Sequence, residues 1–245
     1  MATYPILERK YILDEKIDET PEVLVLRFKP EDNLPCSFDS GMFMMITGVD
    51  SDGKRYTSRA FSIASDPASL DMEFMVIKQP THGEHIGTSH FVDAKVGDVF
   101  MLKGPSGQFR FDPQRDKKVL FIAGGTGLAP FVSMLRHIKL LGVQCDVDML
   151  YSVKFPTEII RKQELEGYKS ELGLKLVVTV TRPATGDGWT GQTGHIDANM
   201  IQKYSPDIKD RMCYICGPLA FVKACKDALT QIGLPQQRVS ADVWG

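Results

Sequence analysis

Hydrophobic and polar positions change rhythm about halfway along the chain. Up to Phe111, apolar residues come in short runs split by Gly, Pro, Asp and Asn, as in Val23-Leu24-Val25-Leu26-Arg27-Phe28, Gly41-Met42-Phe43-Met44-Met45-Ile46 and Met72-Glu73-Phe74-Met75-Val76-Ile77. Several of these runs alternate with polar residues, the period of a strand with one buried face. Short strands at near-regular spacing predict an antiparallel barrel or sandwich. One helix is expected to interrupt it near 88–92, ending before Gly97-Asp98.

From Lys117 the pattern switches to strands and helices in turn. The spacing predicts strands over 119–123, 145–151, 174–180, 212–216 and 238–242. Helices are expected over 130–141 (stopped by Gly142), 158–172, 197–204 (opened by Asp197) and 218–232 (Pro218 in its first turn, Gly233 after its end). Such alternation predicts a doubly wound α/β domain, a parallel sheet flanked by helices. The break falls near 112–117, giving expected domains of 1–114 and 115–245.

The chain has 245 residues, 43% of them hydrophobic and 24% charged, with a net charge of −2. That balance provides no basic field for nucleic acid. No apolar stretch approaches the roughly 18 residues of a membrane span. The start of the chain lacks the apolar core of a secretion signal, so a cytoplasmic protein without an integral membrane segment is expected. The five cysteines are odd in number and scattered, which disfavours a disulfide framework. Cys213 and Cys216 lie three apart in a strand-like run and point to opposite faces, which suits neither zinc nor a dithiol. No iron–sulfur domain and no metal site are expected within these residues.

Two segments carry chemistry. Gly124-Gly125-Thr126-Gly127 joins a buried strand to a helix that has Pro130 near its start. Glycines permit a tight turn and close ligand approach, and a helix start favours a pyrophosphate. Cys216-Gly217-Pro218 repeats the arrangement, and ligands of open α/β sheets sit outside the carboxyl ends of strands, so the two turns should share a crevice. In the barrel half, Arg59-Ala60-Phe61-Ser62 offers a guanidinium for phosphate, a ring on the same strand face and a small hydroxyl. On the residues alone, these are also an ordinary glycine-rich turn, a small buried thiol and an exposed barrel arginine.

Taken in order, the three motifs resemble the ferredoxin–NADP reductase-like flavoproteins over nearly the whole chain. The resemblance implies a flavin in the first domain, FAD rather than FMN, and NAD(P)H on the second. Arg59 would meet the flavin phosphate. Phe61, where Tyr is commoner, would pack along the isoalloxazine, and Ser62 would bond near N5, with Ala60, Val76 and Lys78 nearby. The next flavin element is altered here: Gly87 precedes Thr88 and Ser89, and either hydroxyl could take the phosphate. His82, His85 and His90 would make a polar flavin-edge loop. Gly124, Gly125, Thr126, Gly127, Pro130, Thr181, Arg182, Gly217 and Pro218 would hold the nucleotide.

Ser62, Cys216 and Asp242 would line the place where a hydride passes between nicotinamide C4 and flavin N5. Asp242 and Trp244 match the acid-x-aromatic ending of plant-type members, in which the ring stacks on the flavin. Electrons would then go to or come from a ferredoxin, a flavodoxin or an oxygenase component. Alternatives are an electron-transfer subunit of a larger complex, or a reductase of free flavin or quinone. Lys154, Arg161, Lys162 and Arg182 leave the choice of NADH or NADPH open, because no acid stands clearly at the end of the second parallel strand. The oligomeric state is open as well.

Overall fold

A computed structural model describes residues 3–50, 52–56, 58–78 and 89–244. The chain divides into two compact units, Met1–Phe111 with Val132–His137, and Asp112–Phe131 with Ile138–Gly245.

The first unit is built on β1 (Leu7–Thr20), β2 (Val23–Pro30), β3 (Phe43–Gly48), β4 (Arg59–Ser62), β5 (Met72–Ile77), the short helix α1 (Ser89–Asp93) and β6 (Val99–Ser106). The strands form one antiparallel sheet in the order β4-β3-β6-β1-β2-β5. Its two end strands are brought together where the Ala64 N–H donates to the Glu73 carbonyl at 2.8 Å, so the sheet nearly closes on itself. The alternating residues fill the interior: Leu24, Leu26, Phe28, Met44, Ile46, Phe74, Val76, Phe91 and Phe100 are all buried together. The expected strand at 41–46 starts two residues late. Gly41 sits at φ 103 with the Phe109 carbonyl where a Cβ would fall, so it turns the chain instead. The longest strand, β1, has no clean alternation, since it bulges between Leu13 and Glu15 and again between Asp18 and Thr20.

The second unit contains β7 (Lys118–Gly124), the two ends of α2 (Ala129–Leu141), β8 (Asp146–Val153), α3 (Lys162–Glu171), β9 (Lys175–Val180), β10 (Gln192–Thr193), α4 (Ala198–Tyr204), β11 (Met212–Pro218), α5 (Leu219–Ile232) and β12 (Val239–Trp244). The strands are all parallel, in the order β10-β9-β8-β7-β11-β12. Strand order reverses at β7, so its junction with β11 is the switch point of a doubly wound sheet. Central strands are buried along nearly their whole length, as both-faced strands must be. Gly142 and Gly233 end α2 and α5 in the left-handed conformation, as expected.

The helix expected at 158–172 is shorter. A 3-10 turn spans Pro156–Glu158, Ile159 and Ile160 are buried, and Arg161 has a positive φ of 51°, so α3 begins only at Lys162. Ile159 is buried as extended chain and Ile160 in the turn that leads to Arg161, a pair that an amphipathic reading mistakes for a helical stripe. Asp197 caps α4, its carboxylate accepting from the Met200 N–H at 2.8 Å. Asp197→Ala should therefore cost about 1 kcal/mol, seen as a lower urea midpoint at unchanged slope. Among the described residues, no helix is long and apolar enough to cross a membrane.

Candidate functional site

In the barrel unit, β4 places the flavin motif by pairing with β3: Ser62 faces Phe43, Phe61 faces Met44, Ala60 faces Met45 and Arg59 faces Ile46. Phe61 is half-buried, its ring 5.0 Å from Phe91 at 80° and 6.5 Å from Phe74 at 58°. Arg59 finds no carboxylate among the described residues. Its charge is felt by His90, whose imidazole is held below its usual pKa by burial first and by Arg59 second. A half-exposed guanidinium without an acid partner is a donor set suited to phosphate.

Val76 lies in the barrel core, and the Lys78 ammonium bonds the Asp18 carboxylate at 2.6 Å and the Thr20 carbonyl at 3.0 Å. Ser89 opens α1. Gly87, Thr88, His82 and His85 lie outside the described residues.

In the α/β unit, β7 ends at Gly124, Gly125 takes φ 55, a 3-10 turn spans Gly125–Leu128, and α2 follows with Pro130 in its first turn. A Cβ on Gly125 would meet nothing within 4 Å, so the turn faces open space. Gly127 is the opposite case. A Cβ there would fall 2.3 Å from the Cys216 carbonyl oxygen, so only glycine lets this turn lie on β11. Thr126 is half-buried within the turn.

Cys216 pairs with Ala123 on one side and Asp242 on the other. Its thiol is 1% exposed, and burial together with the Asp242 charge pushes its pKa up, so it stays protonated and is no nucleophile. Burial also raises the Asp242 carboxyl above its usual range, against a lowering bond from the Val243 backbone. Trp244 ends β12 opposite Pro218, and its indole N–H is buried without a partner among the described residues. Cys213 points into the core with Leu120 and Ile215, away from Cys216 in chemical environment, and burial lifts its thiol to about 12. Among the described residues no group of His, Cys, Asp and Glu could hold a metal ion.

Two residues of this site are absent from the sequence reading. Phe221, in the first turn of α5, lies against Gly124 and Gly217; a Cβ on those glycines would meet its ring at 2.9 and 2.6 Å. The ring fills the space over the ends of both strands that two side chains would otherwise occupy. Glu158 is the other. It corrects the expectation that no acid stands at the end of the second parallel strand: its carboxylate accepts from the Lys154 N–H at 3.0 Å, just past β8. It lies five residues past the end of β8 and returns through the 3-10 turn. Thr181 bonds the Val153 carbonyl through its N–H at 2.9 Å, and Arg182 is exposed beside it.

Comparison with known proteins agrees with this arrangement. Residues 121–227 match the family model described as oxidoreductase NAD-binding domain. The glycine betaine monooxygenase reductase subunit of Pseudomonas aeruginosa is 27% identical over 230 residues, covering 94% of this chain and 62% of that one. Among solved structures, a ferredoxin reductase in carbazole 1,9a-dioxygenase superposes with a TM-score of 0.85 at 23% identity, covering 100% of this chain and 71% of that one. A ferredoxin NADP+ reductase from Neisseria gonorrhoeae, solved with bound FAD and NADP, superposes with a TM-score of 0.77 at 20% identity, covering 97% and 98%.

The chain has the fold of these reductases, an antiparallel near-barrel and a six-stranded parallel sheet. The chain spans about three fifths of the length of curated relatives that it matches.

Proposed function

We propose that the protein is a flavin-dependent NAD(P)H oxidoreductase, with FAD held by 1–114 and the nicotinamide nucleotide by 115–245. The observation that carries this reading is the switch point of the parallel sheet. There the turn 124–127, Cys216, Gly217 and Asp242 meet at the carboxyl ends of β7, β11 and β12, and only glycine fits at Gly127. Arg59 would take the flavin phosphate, and Phe61 and Ser62 would border its ring. The flavin and nicotinamide supply the hydride chemistry, between nicotinamide C4 and flavin N5. The chain's part is to hold the nucleotide, keep Cys216 a neutral thiol and keep water away.

Electrons would pass to or from a separate redox protein, of the ferredoxin, flavodoxin or oxygenase-component kind. The relatives named as reductase subunits of a glycine betaine monooxygenase and a stachydrine N-demethylase support this. Five free cysteines suit a reducing compartment, and a cytoplasmic location belongs to the same reading.

Glu158 adds a preference for NADH. A carboxylate at the end of the second strand accepts a ribose 2′-hydroxyl and repels a 2′-phosphate. The test is a visible spectrum of the purified protein followed by anaerobic titration with each nucleotide. Flavin absorbance that bleaches at lower NADH than NADPH is expected, and Glu158→Gln should narrow the gap. A colourless protein that takes up neither FAD nor FMN would overturn the reading.

A further inference from the structure

The glycines at the ends of β7 and β11 are glycine for different reasons. Gly125 has φ 55 and open space around it, so its backbone conformation calls for glycine. Gly124 and Gly217 have no positive φ, and Gly124 is extended at φ −121 and ψ 115. Their backbones do not call for glycine. What excludes a side chain there is a ring of the same chain. A Cβ on Gly217 would meet Phe221 Cδ1 at 2.6 Å and Cε1 at 3.2 Å. One on Gly124 would meet Phe221 Cδ1, Cε1 and Cγ at 2.9, 3.0 and 3.0 Å. The next atom from Gly217 is the Gly124 Cα at 3.4 Å, an ordinary contact, so Phe221 alone closes that position.

Phe221 is the third residue of α5, half-buried, and packs on the core that holds Ile122, Ile215, Val222 and Cys225. The core supports the ring, and the ring supports the backbone of both strand ends. Gly217 directly follows Cys216, and the turn after β7 rests on the same stretch. A Cβ on Gly127 would fall 2.3 Å from the Cys216 oxygen and 2.8 Å from Gly217 Cα. A close-packed interior has few voids to absorb a shift, so a change at the ring is passed to the strand ends and on to the turn.

We infer that Phe221 is a positioning residue for the nicotinamide nucleotide. It acts through Gly124 and Gly217, whose bare backbones seat its ring rather than admit the ligand, and it thereby fixes the turn 125–127 and Cys216 in place. This role rests on the nucleotide binding proposed above for 115–245.

The test is calorimetric titration of the full chain with whichever of NADH and NADPH wild type binds more tightly, beside urea unfolding of each variant. Phe221→Ala should weaken the nucleotide by about ten-fold or more, the order expected of a misplacement approaching 1 Å. Gly217→Ala should weaken it to a similar degree. The double variant should bind at least about five-fold tighter than the product of the two single losses, the scale of coupling between groups in contact. The new methyl then enters the space that the ring leaves. Val222→Ala opens the same core one residue away, at a side chain 2% exposed, and should lose stability while keeping wild-type affinity. Phe221→Leu carries the same comparison if Phe221→Ala does not fold. Losses that simply multiply would mean that Gly217 serves the ligand directly, and would overturn the inference. Undiminished affinity in Phe221→Ala, or an equal loss in Val222→Ala, would overturn it as well. A wild type that binds neither nucleotide overturns the nucleotide reading itself, and the role of Phe221 with it.

Discussion

Arg211→Ala is expected to be the most damaging single substitution in the α/β unit, lowering its stability by about 3–5 kcal/mol. Arg211 precedes β11 and is 1% exposed. Its guanidinium donates to the Val119 and Asp146 carbonyls at 3.1 and 3.0 Å, and to the carboxylates of Asp146 at 2.9 Å and Asp207 at 2.7 Å. It also pairs with Asp148 at 3.1 Å, and Asp148, 3% exposed, accepts from the Ser205 hydroxyl at 2.6 Å. One side chain thus ties β7, β8 and the chain after α4 at the amino ends of the strands. Removing it leaves Asp148 buried beside two other carboxylates, with Lys175 and Lys118 as remaining cations.

The cost should depend on pH, with a sign that follows from the carboxylates. The Arg211 guanidinium holds Asp207 well below the usual range, with Lys118 adding to it. Asp146 is pushed up by burial, but Lys175 and Arg211 outweigh that and leave it lowered. Groups whose folded pKa lies below the unfolded value of about 3.9 give stability that is full above that value and lost as pH falls through the folded one. The alanine variant loses most of this contribution. Its deficit should be largest near pH 7 and shrink below about pH 4. Urea unfolding of both proteins at pH 7 and pH 3.5, followed by circular dichroism, reads it out; a deficit under 1 kcal/mol at neutral pH would sink the argument.

Gly127→Ala is expected to weaken nicotinamide nucleotide binding by roughly ten-fold or more, the scale of one charge-assisted hydrogen bond, and to cost about 1–3 kcal/mol of stability. The contact allows no cheap escape, because the atoms a Cβ would meet are backbone: the Cys216 oxygen and carbon at 2.3 and 2.5 Å and Gly217 Cα at 2.8 Å. Either the turn lifts from β11 or the end of β11 moves, and both carry proposed nucleotide contacts. Gly142→Ala is the control at the far end of α2. Gly142 has φ 61 and nothing within 4 Å of a built Cβ, so the change should cost only the left-handed penalty of about 1 kcal/mol. Nucleotide affinity should then be unchanged. Calorimetric titration with NADH would separate the two, and equal affinities in Gly127→Ala and Gly142→Ala would refute the close-approach account.

Most of the architecture was legible before any coordinates because it is written in local periodicity. The runs at 119–123 and 212–216 are apolar throughout, and a strand covered on both faces has to be. Gly142 and Gly233 stand where a left-handed residue ends a helix. The misread segment at 158–172 shows the limit of this. Ile159 and Ile160 match a helical stripe, but they are buried in the non-helical link between a 3-10 turn and the left-handed Arg161. β1 escaped notice because its two bulges break the alternation that would have marked it.

The sequence by itself determined the two textures, the order of the three motifs and the glycines at the turn after β7, since each depends on neighbours a few residues away. Only the tertiary structure decided what those motifs rest on. It placed Gly127 against Cys216, Phe221 over Gly124 and Gly217, Glu158 back at the end of β8, and Tyr56 on His90 above Gly48. It also gathered Asp146, Asp148 and Asp207 around Arg211. These are contacts between segments far apart in the chain or joined through an irregular turn. Periodicity states which face of an element is buried, whereas strand order and register state which residue of another element lies against it.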